Sequence, residues 1–173
     1  MRFLPLLLAA ASLFALPEPS PRRAPGFSLP DLNLKQHDLQ DYRGKIVLVE
    51  FMQTGCPHCV EFSKILEEVQ RKYRARVAVL SIVLQPDTQA TVREFIARHK
   101  VTAPVLFDCG QVAASYLQVT PQKPTINLPH VFIIDENGFI RNDYGYGVLT
   151  RNIFEGRGVF QVLDGMLGGK SQK

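Results

Sequence analysis

Two cysteines separated by a proline and a histidine, Cys56-Pro57-His58-Cys59, are the residues of this chain best suited to chemistry. Thiols at this spacing can close a disulfide, exchange it with another, or hold a soft metal. The thiolate is the reacting form, so the setting of the first sulfur decides its reactivity. The motif follows an apolar run and opens a stretch of helical periodicity. If Cys56 caps that helix, its sulfur lies beside unpaired backbone N–H groups at the positive end of the helix dipole, which favours the thiolate. Pro57 suits the first helical position, where no N–H is needed. His58, when protonated, adds positive charge near the same sulfur. Cys59 falls one turn on, facing back toward the sheet, where it can attack a mixed disulfide formed at Cys56.

Other uses of the pair fit less well. Half a zinc site needs a second pair with suitable spacing, and there is none. Haem attachment needs a histidine directly after the second cysteine, where Val60 stands. A structural disulfide across a single helical turn closes too short a loop to staple a fold. Redox exchange is the leading reading, with metal binding as the alternative. The third cysteine, Cys109, follows Asp108 at a strand end, and a lone cysteine there reads first as a small, partly buried side chain. A third redox centre or an intermolecular partner is the alternative.

The elements that must position the thiols follow from apolar patterning. Residues 45–52 (KIVLVEFM) form a nearly continuous apolar run of strand length, which suits a strand covered on both faces. A helix is expected from 57 to about 74, with Cys59, Phe62, Ile65, Leu66, Val69 and Tyr73 on one stripe. Residues 77–84 read as a second buried strand. A helix over 87–99 has Asp87 or Thr88 as its cap and Val92, Phe95, Ile96 and His99 facing inward. Short edge strands at 27–34 and 37–39 lead into the domain. Residues 105–107 read as a strand, 111–117 as a short helix, 131–135 and 139–146 as a hairpin around Glu136-Asn137-Gly138, and 158–167 as a last helix. The alternation implies an α/β domain with a mixed sheet and helices on both faces. Within the first run, Glu50 stands out, because a buried carboxylate is costly unless it is used or paired.

The chain has 173 residues, 46% hydrophobic and 21% charged, which fits one globular domain. Its 11 Phe and 5 Tyr come with no Trp, so any site that usually relies on an indole is built otherwise. The formal charge of +4 is mild and scattered, apart from a short cluster at Arg71, Lys72, Arg74 and Arg76, so nucleic acid is not an expected partner. Residues 1–16 read as a secretory signal, with Arg2 ahead of an apolar stretch and Ala9, Ala10 and Ala11 offering a cleavage site. An uncleaved anchor is the alternative; the run is short for a spanning helix of about 20 residues. Pro17, Pro19, Pro21 and Pro25 make residues 17–26 an extended linker that cannot be helical. The domain is expected over 27–169, with 170–173 as a flexible tail.

Three segments carry a resemblance: FSLPDLNLKQHDLQDYRGKIVLVEFMQTGCPHC at 27–59, VLFDCGQVAASYLQV at 105–119 and LPHVFIIDENGFI at 128–140. Together they resemble the thioredoxin superfamily, in particular the extracytoplasmic TlpA/ResA-like thiol:disulfide oxidoreductases related to the AhpC/TSA framework. The resemblance implies a thioredoxin-like fold with a short N-terminal β extension. It implies that Cys56 attacks, that Cys59 resolves, and that Pro129 is a cis-proline lying against the pair. Leu128 and Pro129 then offer a backbone edge to an extended substrate strand. Glu50 stands six residues before Cys56, where thioredoxins place a buried acid, which implies a proton acceptor for Cys59. A structural carboxylate paired with Lys45 is the other reading. Many TlpA-like members carry Asn there.

Departures narrow the activity. The tryptophan usual before the first cysteine is Gly55 here, so the thiols should be more exposed. Peroxiredoxins resemble a Pro-x-x-x-Thr/Ser-x-x-Cys pattern, whereas Val49 and Gln53 occupy those positions. The Pro57-His58 dipeptide resembles that of strongly oxidising enzymes, while the surrounding domain resembles a family that often reduces. An exported reductase acting on protein thiols or disulfides with a redox partner protein, as a monomer and with no cofactor beyond its own disulfide, is the leading expectation. The membrane enters only through the signal segment. A Sco-like copper chaperone using Cys56, Cys59 and His130 is the alternative, since thiolates and imidazole suit copper. Taken singly, His130, like His37 and His99, reads as a surface or packing residue.

Overall fold

The computed structural model describes residues 21–120, 122 and 125–168. The expected signal segment and tail therefore lie outside the described residues. Five strands form the central sheet in the order β5-β4-β3-β6-β7. These are β3 (Ile46–Met52), β4 (Val77–Val83), β5 (Val105–Phe107), β6 (His130–Ile134) and β7 (Ile140–Gly145). The first three run parallel, and β6 and β7 are antiparallel additions. The expected strands at 27–34 and 37–39 are shorter and pair with each other: β1 (Ser28–Pro30) and β2 (Gln36–Asp38) form a separate two-stranded sheet. Asp31 closes their turn by accepting from the Asn33 and Lys35 amides at 2.8 and 3.1 Å.

Every residue of β3 is buried, so it is the strand that needs cover on both faces. Its alternation divides the core. Val47, Val49 and Phe51 join Leu80, Ile82, Phe132 and Ile134 under α3 (Gln111–Leu117) and the N-terminal extension. Ile46 and Leu48 face the other way, onto Phe62, Leu66 and Val69 of α1 (Pro57–Tyr73) and Phe160 and Leu163 of α5 (Gly158–Gly168). Glu50 and Met52 continue that second face toward the start of α1.

Helix α2 (Gln89–His99) begins at Thr88, in a capping box with Thr91. Asp87, the alternative cap, instead accepts from the Thr54 amide at 2.7 Å and from the Thr54 and Thr91 hydroxyls, tying the loop ahead of Cys56 to the end of β4. The β6–β7 turn is closed by Asp135, which takes the Asn137 and Phe139 amides at 2.9 Å, with Gly138 at φ +83°.

Two features depart from the sequence reading. A fourth helix, α4 (Arg151–Glu155), follows β7. Five residues are too few to show a helical period, and the helix is held instead by Phe154, whose ring meets Phe62 of α1 edge-on at 4.8 Å. Residues 22–25 of the proline-rich stretch lie against the domain. Arg22 and Ala24 bond backbone to backbone with Ile140 and Gly138, and the Arg22 guanidinium reaches the carbonyls of Ser115 and Tyr116. Among the described residues, no helix is long and apolar enough to cross a membrane.

Candidate active site

Strand β3 ends at Met52, and four residues later Cys56 caps α1 in extended conformation (φ −85°, ψ 116°), with Pro57 at the first helical position. The Cys56 sulfur accepts from the Cys59 amide at 3.3 Å, the contact that places it on the partly positive end of the helix. Cys56 is half-buried, Cys59 fully buried, and both are free thiols. Pro57 and His58 are exposed. Nothing stands within 4 Å of where a Cβ on Gly55 would lie, so the missing indole leaves open space beside Cys56.

The Leu128–Pro129 peptide is cis, and the Leu128 carbonyl lies 3.9 Å from the Cys56 sulfur. Pro129 is buried, and its carbonyl accepts from the Tyr146 amide at 3.0 Å. The start of β6 and the end of β7 are thereby tied together against the thiols.

Glu50 is completely buried on the α1 face of β3. Its Oε2 accepts from the Ser81 hydroxyl at 2.7 Å, and its Oε1 has no hydrogen-bond partner among the described residues. Ser81 is the register neighbour of Glu50 on β4. Burial pushes the carboxyl pKa up from 4.5 to about 7, against the opposing pull of the Ser81 hydrogen bond. Burial also pushes the Cys59 thiol up, and the Glu50 carboxylate adds to the effect by charge repulsion. The partner of Glu50 is thus a hydroxyl on the neighbouring strand, where the sequence reading named Lys45 as the alternative.

On the solvent side, the His58 ring stacks on Tyr146 at 4.0 Å, and its Nδ1 lies 3.4 Å from Glu155 Oε1. The Tyr146 hydroxyl donates to that oxygen, and Arg151 holds the other at 3.1 Å. These bonds hold the Glu155 carboxyl below the usual carboxylate range.

The remaining candidates lie elsewhere. His130 Nε2 is 2.6 Å from Asp143, and its ring stacks on Phe132. Among the described residues no three His, Cys, Asp or Glu side chains come together as a metal-ligating group, so His130 is not joined to the two thiols in one. His37 is buried between Tyr42 and Asp31, and His99 packs on Phe95. Cys109 is exposed, beside an Asp108 that caps α3 through the amides of Val112 and Ala113. Sequence reasoning missed Ser81, Tyr146 and Glu155. Ser81 carried a signal, a hydroxyl interrupting the apolar run of β4 as Glu50 interrupts β3; the other two depend on a helix too short to be read.

A dithiol at the start of the helix after the central strand, over a buried acid and facing a cis-proline just ahead of a neighbouring strand, is the arrangement of a thioredoxin-like oxidoreductase. The AhpC/TSA family profile matches residues 21–143, and the chain belongs to that family. Over 136 residues it is 30% identical to the thioredoxin-like protein YneN of Bacillus subtilis, covering 78% of this chain and 75% of YneN. Over 118 residues it is 30% identical to the thiol-disulfide oxidoreductase ResA of Geobacillus kaustophilus, covering 68% of this chain and 64% of ResA. The fold is shared with a thiol:disulfide interchange protein of the thioredoxin family from Chlorobium tepidum, at a TM-score of 0.70 and 20% identity over 88% of this chain and all of that one.

Proposed function

We propose that this chain exchanges disulfides with protein thiols through Cys56 and Cys59, working mainly as a reductase outside the cytoplasm. The observation that carries the exchange is the contrast between the two sulfurs. One sits half-buried on a helix N-terminus; the other is buried over an acid that titrates near neutrality.

In the reducing direction, the Cys56 thiolate attacks one sulfur of a substrate disulfide. An S–S bond forms to Cys56, and the substrate's other sulfur leaves as a thiolate that takes a proton from water. Cys59 then gives its proton to the Glu50 carboxylate and attacks the Cys56 sulfur, expelling the second substrate sulfur as a thiolate that takes a proton from water. Two electrons pass to the substrate, and the Cys56–Cys59 disulfide remains for a redox partner protein to reduce. Leu128 and Pro129 supply the backbone edge on which an extended substrate strand is held while the sulfurs align. Placement outside the cytoplasm rests on the Arg2-led apolar stretch over residues 1–16.

The test is to replace the resolving thiol. Cys59→Ser should accumulate a mixed disulfide between Cys56 and a disulfide-bonded substrate protein, seen by non-reducing electrophoresis and lost in Cys56→Ser. If Cys59→Ser traps no adduct with any disulfide-bonded protein offered, the reading is wrong.

A further inference from the structure

The sequence of the motif and its surroundings pull the redox balance in opposite directions. A cation beside Cys56 stabilises the thiolate, which exists only in the reduced pair, and so makes the disulfide a stronger oxidant. His58 is the only ionisable residue between the two cysteines. Yet its ring is not free: it is sandwiched against Tyr146 and faces the carboxylate of Glu155 at 3.4 Å.

We propose that Glu155 is a positioning residue for the dithiol: it fixes the His58 imidazole and offsets its charge, keeping the Cys56–Cys59 pair more reducing than Cys-Pro-His-Cys alone would be. This rests on the exchange reading above and deepens it, since it names what sets the direction of electron flow.

The geometry gives the carboxylate two routes to the sulfur. When the imidazole is protonated, the carboxylate places a negative charge next to that cation, so the pair then presents little net charge to Cys56. It also fixes where the ring lies, because the Tyr146 hydroxyl and the His58 Nδ1 converge on the same oxygen. The position of Glu155 is itself secured. Phe154, its neighbour on α4, is fully buried against α1, and the Thr150 hydroxyl ahead of the helix bonds the Gly145 carbonyl at 2.6 Å. The Tyr146 amide is held by the carbonyl of Pro129, the cis-proline beside Cys56. Two other charged groups stand near. Arg151 is bound to the second oxygen of Glu155, and Glu61, one turn along α1 from His58, is paired with Lys64 at 2.7 Å.

The measurement is the equilibrium of the pair with glutathione: protein disulfide plus two glutathione thiols gives protein dithiol plus glutathione disulfide, two electrons and two protons being exchanged. The full chain is equilibrated at fixed pH over a range of glutathione ratios, and free thiols at Cys56 and Cys59 are counted by alkylation and mass spectrometry. Glu155→Gln keeps the shape of the side chain and an oxygen for Tyr146 while removing the charge. It should move the equilibrium about two- to fivefold toward the dithiol, the range for one partly exposed ion pair, which is about 10–20 mV more oxidising. In a His58→Phe background, where the stack on Tyr146 survives without a charge, the same substitution should produce a clearly smaller shift. An unchanged equilibrium in Glu155→Gln overturns the proposal, and so does an equal shift in both backgrounds, because Glu155 then acts independently of His58. Failure of the wild-type pair to form a disulfide at any glutathione ratio is a different result, and it sinks the exchange reading itself.

Discussion

Replacing Glu50 with glutamine isolates what a buried carboxyl does beneath a thiol pair. In the folded protein the group is wholly enclosed, receives one hydrogen bond from Ser81, and titrates at about 7 against an ordinary 4.5. Between those two values the folded chain keeps a proton that the unfolded chain has released. Stability therefore falls as pH rises through that window and levels off above it. A pKa difference from 4.5 to about 7 corresponds to about 3 kcal/mol. Glutamine fills the same space with no proton to lose, so Glu50→Gln should gain on the wild type by up to about 3 kcal/mol between pH 4.5 and pH 8. Urea unfolding of both reduced proteins at steps across that range measures the gain directly. Activity should move the other way, because Cys59 loses its proton acceptor. At pH 7, resolution of a preformed mixed disulfide at Cys56 should slow by on the order of a hundredfold. Parallel stability curves for the two proteins would refute the burial argument, whatever the kinetics showed.

Two further substitutions test the surroundings of the thiols. Ser81→Ala removes the hydrogen bond that opposes the rise of the Glu50 pKa, so the pH midpoint for mixed-disulfide resolution should move upward, as stopped-flow rates from pH 6 to 9 would show; an unmoved midpoint contradicts the role given to the hydroxyl. Gly55→Trp adds a side chain where a Cβ meets nothing within 4 Å, so the melting temperature should hold while alkylation of Cys56 by a bulky maleimide slows several-fold, and undiminished labelling would show that the open space does not control access.

The parts of the fold legible in the sequence are those where burial on both faces leaves a nearly continuous apolar run. Strands β3, β4 and β6 are of this kind, and so is the start of α1, where Cys56 and Pro57 satisfy the cap and the first turn with local chemistry. Glu50 was legible for the converse reason, as a charge in a place where charge is expensive. Its hydroxyl partner was written in β4 but needed the parallel register of Glu50 with Ser81 to be recognised. Helix α4 and the contacts of His58 were not legible. Five residues held by one buried phenylalanine have no period of their own, and the meeting of His58 with Tyr146 and Glu155 is made by tertiary packing between segments about 90 residues apart.

Residues 22–24 are bound to the β6–β7 turn, at Gly138, Phe139 and Ile140. That turn neighbours the beginning of β3, since Val47 pairs with Ile134, whereas the thiols follow its end, where Phe51 pairs with His130. A seven-residue strand spans about 20 Å. Arg22 therefore stands at the pole opposite the dithiol, and a tether joined to the domain at that pole would point the reactive sulfur away from the surface holding it, toward substrates arriving from the open side.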